Sequence, residues 1–187
     1  MLNQADITLT NLFSAEESEE LFNSLEKAIQ WQQKTIKLYG KTFNVPRLTA
    51  WFGTEGYTYS GIFHPATALP AAIEKIKTAV EAEAGQTFNS VLCNLYLDGS
   101  HSVSWHSDDE PELGADPVIA SVSLGGSRAF SMKHKTDKSD KVKLELESGS
   151  LLIMGKGTQP NYLHSVPKTK KTVAPRINLT FRTIGQP

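Results

Sequence analysis

Apolar residues recur at helical spacing in two stretches near the start of the chain. Leu21, Phe22, Leu25, Ala28 and Ile29 follow Ser14-Ala-Glu-Glu17, a serine with a glutamate three residues on. That pairing is a capping box, so the pattern predicts an amphipathic helix of about four turns with one buried face. Ile73, Ile76, Ala79, Val80 and Ala84 form a second stripe, opened by Pro70 and stopped by Gly85. Beyond Gly85 the period falls to two. Ser90–Leu97, Val118–Leu124, Arg128–Lys133, Val142–Leu146, Leu151–Met154 and Arg176–Thr183 read as strands separated by Gly, Pro, Asp and Ser. Between the helices, Lys34–Pro65 reads as short strand-like pieces. Six close-spaced strands with two N-terminal buttressing helices predict an α+β chain, mainly β, built as a sandwich or barrel. Neither an internal repeat nor a linker interrupts residues 1–187, so a single domain is expected.

Composition narrows the function classes. With 19 basic and 20 acidic residues the net charge is -1, which excludes a charged disordered chain and a globally basic nucleic-acid coat. The longest apolar run, Leu151–Met154, has four residues, against roughly 20 for a membrane span, and no membrane partner is expected. No basic segment followed by an apolar block marks the N-terminus. The expected compartment is intracellular: cytoplasmic in a bacterium, nuclear or cytoplasmic in a eukaryote. Cys93 is the single cysteine, so internal disulfides are excluded and any metal site must use His and carboxylates. Positive charge is concentrated in Lys133–Lys143 and Lys168–Arg176; should these converge, they form a rim for phosphates.

Trp105-His-Ser-Asp-Asp-Glu110 carries the chemistry. In extended backbone, residues two apart project from one face, so His106 and Asp108 could together chelate a divalent metal. The best candidate for a third ligand is His164. Two imidazoles and one carboxylate leave coordination positions open, as in non-haem Fe(II) oxygenases. In Arg176-Ile-Asn-Leu-Thr-Phe-Arg182 the polar residues fall at every second position. Two arginines and an asparagine on an inward face are costly unless they meet anions, and a small dicarboxylate matches two guanidinium forks. Ser90–Leu97 alternates likewise, placing Asn94 and Tyr96 opposite Val91, Cys93 and Leu95.

Together, Asn94-Leu-Tyr96, Trp105-His-Ser-Asp108-Asp-Glu-Pro111, Ser121-Val-Ser-Leu-Gly125, Arg128-x-Phe130 and Arg176-x-Asn178-Leu-Thr-Phe-Arg182 resemble the AlkB family of nucleic-acid dealkylating dioxygenases. Pro46-Arg-Leu-Thr-Ala-Trp51-Phe-Gly53 and Tyr57-Thr-Tyr59-Ser60 resemble its AlkB homologue 3 group. The resemblance covers about residues 45–184. It implies a double-stranded β-helix (jelly-roll) core, with a helix and nucleotide-recognition lid in residues 1–65 and a helix plus the core in 66–187. It further implies Fe(II), 2-oxoglutarate and O2, with His106, Asp108 and His164 binding the metal. By the same match, Arg176 with Tyr96 takes the distal carboxylate of 2-oxoglutarate. Arg182 and Asn94 take the carboxylate beside the keto group, with Asn178 assisting.

The implied reaction repairs 1-methyladenine and 3-methylcytosine in DNA and/or RNA, releasing formaldehyde, succinate and CO2; the alternative is an oxygenase acting mainly on RNA modifications. The implied partner is nucleic acid, single-stranded or with its base flipped out, and a monomer is expected. Trp51 and Phe52 match the base-stacking region, the lesser reading of Trp51 being a core tryptophan. Tyr57 and Tyr59 would contact phosphate or close the lid. Glu110 would accept from an exocyclic amine, and Arg128 would hold either Glu110 or a phosphate.

Overall fold

The computed structural model describes residues 2–3, 5–38, 40–54, 57–59, 62–64 and 66–185, and for 37–38, 57–59 and 62–64 the backbone alone. Helix α1 (Ala15–Ala28) begins at the expected capping box. Ser14 Oγ accepts from the Glu17 N–H, and the Glu17 carboxylate accepts from the Ser14 N–H. Helix α2 (Ala71–Ala84) has Pro70 as its cap rather than its first residue, and Gly85 ends it in the left-handed region at φ 65°. Helix α3 (Thr158–Asn161) is a single turn.

The strands are β1 (Ile7–Asn11), β2 (Gln32–Leu38), β3 (Lys41–Gly53), β4 (Tyr57–Tyr59), β5 (Ile62–His64), β6 (Ser90–Tyr96), β7 (Val103–His106), β8 (Ile119–Gly125), β9 (Arg128–His134), β10 (Lys141–Leu146), β11 (Ser150–Met154), β12 (Tyr162–Val166) and β13 (Arg176–Arg182). A seven-stranded antiparallel sheet runs β1-β11-β8-β13-β6-β3-β2, and a four-stranded one runs β10-β9-β12-β7; β4 pairs with β5. The two larger sheets face each other as a jelly roll.

Alternation along the strands decides what faces what. Val91, Cys93 and Leu95 of β6, Val122 and Leu124 of β8, and Ile177, Leu179 and Phe181 of β13 point to the helices. There they pack under Leu21, Leu25, Ile73, Ile76 and Val80. Each such side chain contributes roughly 1.5–3 kcal/mol by leaving water, which fixes the strand register. The intervening residues therefore turn toward the smaller sheet, and Asn94, Ser121, Arg176, Asn178, Thr180 and Arg182 among them line a pocket.

The stretch expected as short pieces, 34–65, holds the three-residue strands β4 and β5 but also one 13-residue strand, β3. Pro46 suggests a break, but no partner strand needs its missing N–H. The ladder to β2 shifts between Gln33 and Thr35, leaving Val45–Arg47 opposite Lys34, and the ladder to β6 begins only at Leu48. The Gln33 amide donates to the Val45 carbonyl at 2.7 Å across this bulge. Residues 7–11 add an edge strand on β11 that is not among the expected strands, although Ile7-Thr-Leu-Thr alternates with a period of two. Among the described residues no helix is long and apolar enough to cross a membrane.

Candidate active site

β7 and β12 pair with His106 directly opposite His164, and the two imidazole centroids lie 4.2 Å apart. β7 ends at His106, so Asp108 reaches the group through the following loop and not through strand alternation. Its Oδ1 lies 3.7 Å from His106 Nε2. One ligand atom from each of His106, Asp108 and His164 falls within 4.8 Å of the others, the one such group of His, Cys, Asp and Glu among the described residues.

The surroundings set the tautomer of His106 and the charge of the other two members. His106 Nδ1 is 2.9 Å from the Ser104 carbonyl. A carbonyl only accepts, so Nδ1 carries the proton and Nε2 keeps its lone pair for the site. Asp108 Oδ2 accepts from Arg182 Nε and Nη2 at 3.1 and 2.8 Å, with both side chains buried. Burial pushes the Asp108 carboxyl up, but Arg182, then His164 and His106, hold it down to about 2. Burial pushes His164 down to about 3, with His106 and Arg182 adding to that and Asp108 opposing it. An ionised carboxylate and neutral imidazoles are the forms that bind a divalent metal. Asp108 Oδ1 and His164 Nδ1 are buried with no hydrogen-bond partner, although buried polar atoms are normally satisfied. The donor set therefore fits a metal ion.

At the other end of the pocket Arg176 is 1% exposed. Its Nη2 donates to Ser123 Oγ at 2.9 Å, while Nε and Nη1 lack a well-aligned acceptor. The Tyr96 ring lies between two guanidiniums, 5.2 Å from that of Arg176 and 5.7 Å from that of Arg128. Asn178 is fixed by donating to Ser121 Oγ and the Val122 carbonyl, and by accepting from Thr180 Oγ1 at 3.0 Å. Asn94 Nδ2 reaches Asn178 Oδ1 at 3.4 Å, and its own Oδ1 accepts from Arg47 Nε at 2.7 Å. Arg47, absent from the sequence-based set, lines the same pocket. It shares a face of β3 with Thr49 and Trp51, so reading 41–53 as one alternating strand would have found it.

Other expectations are corrected by placement. Trp51 is buried with Leu92, Leu113 and Ile184. Phe52, adjacent on the strand, must face the opposite way and packs in the helix-side core, so the two do not form one stacking surface. Arg128 holds neither Glu110 nor an open phosphate position. Its guanidinium donates to the carbonyls of Asp98, His101 and Pro167 at 3.2, 2.8 and 2.9 Å, clamping the β6–β7 loop to the β12–β13 loop beside Tyr96. Glu110, two residues beyond Asp108, is the N-cap residue of the short helical turn Pro111–Leu113 without a side-chain capping bond, which leaves its expected role open. The side chains of Tyr57 and Tyr59 lie outside the described residues.

Lys135 and Thr169, one from each lysine-rich segment, attach beyond opposite ends of β12. Lys135 lies 3.8 Å from Asp109 and bonds the Asn161 carbonyl before β12, whereas Thr169 beyond β12 bonds Gly99.

The family model of the 2OG-Fe(II) oxygenase superfamily matches residues 6–182. The alpha-ketoglutarate-dependent dioxygenase alkB homolog 3 of Bos taurus is 43% identical over 177 residues, covering 90% of this chain and 62% of the relative. Its Homo sapiens counterpart is 42% identical with the same coverage. The DNA oxidative demethylase ALKBH2 of Homo sapiens is 40% identical over 192 residues, 96% of this chain and 73% of that protein. The chain thus spans about three fifths of the length of the first of these relatives. The solved structure of OsALKBH1 superposes with a TM-score of 0.70 at 20% identity, covering 98% of this chain and all of that one, which supports the fold.

Proposed function

Because this chain belongs to the AlkB family of the 2OG-Fe(II) oxygenase superfamily, we propose that it is an Fe(II)- and 2-oxoglutarate-dependent dioxygenase that repairs N-alkylated bases. The bases are 1-methyladenine and 3-methylcytosine, and the products are the repaired base, formaldehyde, succinate and CO2. One observation carries the reading. A three-ligand group and a buried guanidinium with unfilled donors occupy a single pocket. The relatives named DNA oxidative demethylase favour DNA as the substrate. Residues 1–187 act in this reading as one catalytic domain and as a monomer.

Fe(II), held by His106, Asp108 and His164, would supply activation of O2, with electrons drawn from decarboxylation of the keto acid. The chain's own residues bind, orient and exclude water. Arg176 beside Tyr96 takes the distal carboxylate of 2-oxoglutarate, where a guanidinium fork matches a carboxylate bidentately. Arg182 holds Asp108 by Oδ2, leaving Oδ1 toward the metal, and with Asn94 it receives the carboxylate next to the keto group. Asn178 keeps Asn94 in place. Fixing both ends of the co-substrate sets its keto group at the metal.

The base enters on the side of His106, whose side chain is 27% exposed against 1% for Asp108. There Trp51 backs Leu92, a residue of the pocket wall. Glu110 accepts from the exocyclic amine. Tyr57 and Tyr59, on the β4–β5 hairpin that follows β3, contact the strand carrying the base.

The test is anaerobic loading of the protein with Fe(II) and 2-oxoglutarate, then admission of O2 with methylated DNA and RNA oligonucleotides, read by mass spectrometry. Loss of the methyl group with equal amounts of formaldehyde and succinate is expected. Succinate formation with every methylated oligonucleotide unchanged would overturn the proposal.

A further inference from the structure

Gln159 is a buried amide, 1% exposed, in the single helical turn α3. Its Oε1 accepts from the backbone N–H of Asp108 at 2.9 Å. Its Nε2 meets Met154 Sδ at 3.7 Å, so the amide is held from both ends. Its own carbonyl accepts from Lys135 Nζ at 2.9 Å, and that ammonium stands 3.8 Å from the Asp109 carboxylate. Asp108 and Asp109 are thus fastened to one short segment by two separate links.

The position of that segment gives the links their meaning. α3 runs directly into β12, whose third residue is His164. Asp108 lies beyond the end of β7, where no strand ladder fixes its backbone. His106 and His164 keep their spacing through the β7–β12 pairing, but the loop of Asp108 needs an anchor of its own.

We propose that Gln159 is a positioning residue of the metal centre, its amide oxygen setting the backbone of Asp108 at the distance from His164 that a shared metal ion requires. The inference rests on the reading of His106, Asp108 and His164 as metal ligands. Outer partners that orient ligands typically change metal affinity by about 10–100-fold when removed. A residue that merely filled space at this position would be replaced without such loss by a side chain of equal length.

The test uses the full chain, freed of metal and titrated with Co(II), whose absorption bands report ligand geometry while competition with a chelator gives affinity. Gln159→Met keeps length and removes the acceptor; Gln159→Glu keeps an acceptor oxygen. The Met variant should bind Co(II) about 10–100-fold more weakly with altered bands, its metal-free melting temperature lowered only by the loss of one buried hydrogen bond, and the Glu variant should recover most of the affinity. Parent-like affinity and bands in the Met variant overturn the proposal. So does a fall in metal-free melting temperature large enough to account for the weaker binding, which would mark a packing residue. Should the Met variant not fold, the Glu variant decides: parent-like bands support the role, and failure to fold or to bind defeats it. A parent protein that takes up no Co(II) at these three ligands defeats the ligand reading itself, before any variant is compared.

Discussion

Arg176→Met removes a guanidinium that the pocket holds at 1% exposure with one well-formed hydrogen bond, to Ser123 at 2.9 Å. Two effects of opposite sign follow. Without co-substrate, no carboxylate among the described residues forms an ion pair with the buried cation. Exchanging buried charged groups for apolar ones of similar size is often neutral or stabilising by about 1–4 kcal/mol. The ligand-free variant should therefore melt no lower than the parent. Against 2-oxoglutarate the sign reverses, because a charge-assisted hydrogen bond is worth roughly 1.5–3 kcal/mol.

A loss of about 2 kcal/mol weakens binding about 30-fold. The assay is thermal melting with Mn(II) replacing Fe(II), with and without 2-oxoglutarate at about 100 times the parent Kd. Ligand at that level stabilises the parent by about 2.7 kcal/mol, and a protein binding about 30-fold more weakly by about 0.9 kcal/mol. At roughly 2–4 °C per kcal/mol for a domain of this size, the rise on adding co-substrate should drop from about 5–11 °C to about 2–4 °C. Arg176→Lys should fall between, since an ammonium restores charge without the fork. Equal rises in the parent and the Met variant would refute the placement of this arginine at the co-substrate.

Asp108→Ala strands the buried Arg182 guanidinium and should cost about 3–5 kcal/mol of metal-free stability in urea; His106→Ala, at a more exposed position, should cost far less, and equal losses would contradict the Asp108–Arg182 pairing. His164 has its folded pKa lowered from 6.5 to about 3, so the unfolded chain binds the extra proton. The stability it contributes is complete above about pH 6.5 and lost as pH falls toward about 3, amounting to about 2 kcal/mol between pH 7 and 5. Urea unfolding of metal-free protein across that range checks this, and a flat profile counts against a neutral buried His164. Reversing the charges of Lys138 and Lys141, near the turn between β9 and β10, should flatten the salt dependence of single-stranded oligonucleotide binding by about 0.7 for each phosphate no longer neutralised. Lys168→Glu with Lys170→Glu should leave the slope unchanged; equal flattening by both pairs would mean that nucleic acid reaches both ends of β12.

Both helices were legible because local signals and apolar spacing agree: Ser14 with Glu17 at one start, Gly85 at the other's end. β6 and β13 were legible because a sheet covered by helices on one face and polar on the other writes strict alternation into its central strands. β3 was not, since Pro46 imitates a break unless the bulge opposite Lys34 is known. β7 and β12 are short and carry His106 and His164, so polar residues stand where a strand reading looks for apolar ones. His106, Asp108 and His164 were recognisable as a set, yet the loop geometry that brings Asp108 in depends on Gln159, more than fifty residues away. Trp51 and Phe52 show the converse. The alternation that revealed β13 separates these neighbours to opposite faces, and it would have done so had residues 41–53 been read as one strand. Arg128, beside a glycine turn, gave no sign of the three carbonyls it binds, because loops from distant parts of the chain supply them.

β13 is the only strand that joins the two halves of the larger sheet: β1, β11 and β8 lie on one side of it, and β6, β3 and β2 on the other. It is also the last of the described strands to leave the ribosome. Until Arg176–Arg182 has been synthesised, β8 and β6 each present an open edge. The helix-side core meanwhile lacks Ile177, Leu179 and Phe181. A nascent chain thus carries two incomplete three-stranded sheets whose bare backbone edges invite pairing with other chains. Insertion of one strand closes both edges at once and, in the same event, delivers both arginines to the pocket. Closure of the exposed sheet edges and completion of the pocket that holds both arginines therefore coincide in the placement of this one strand.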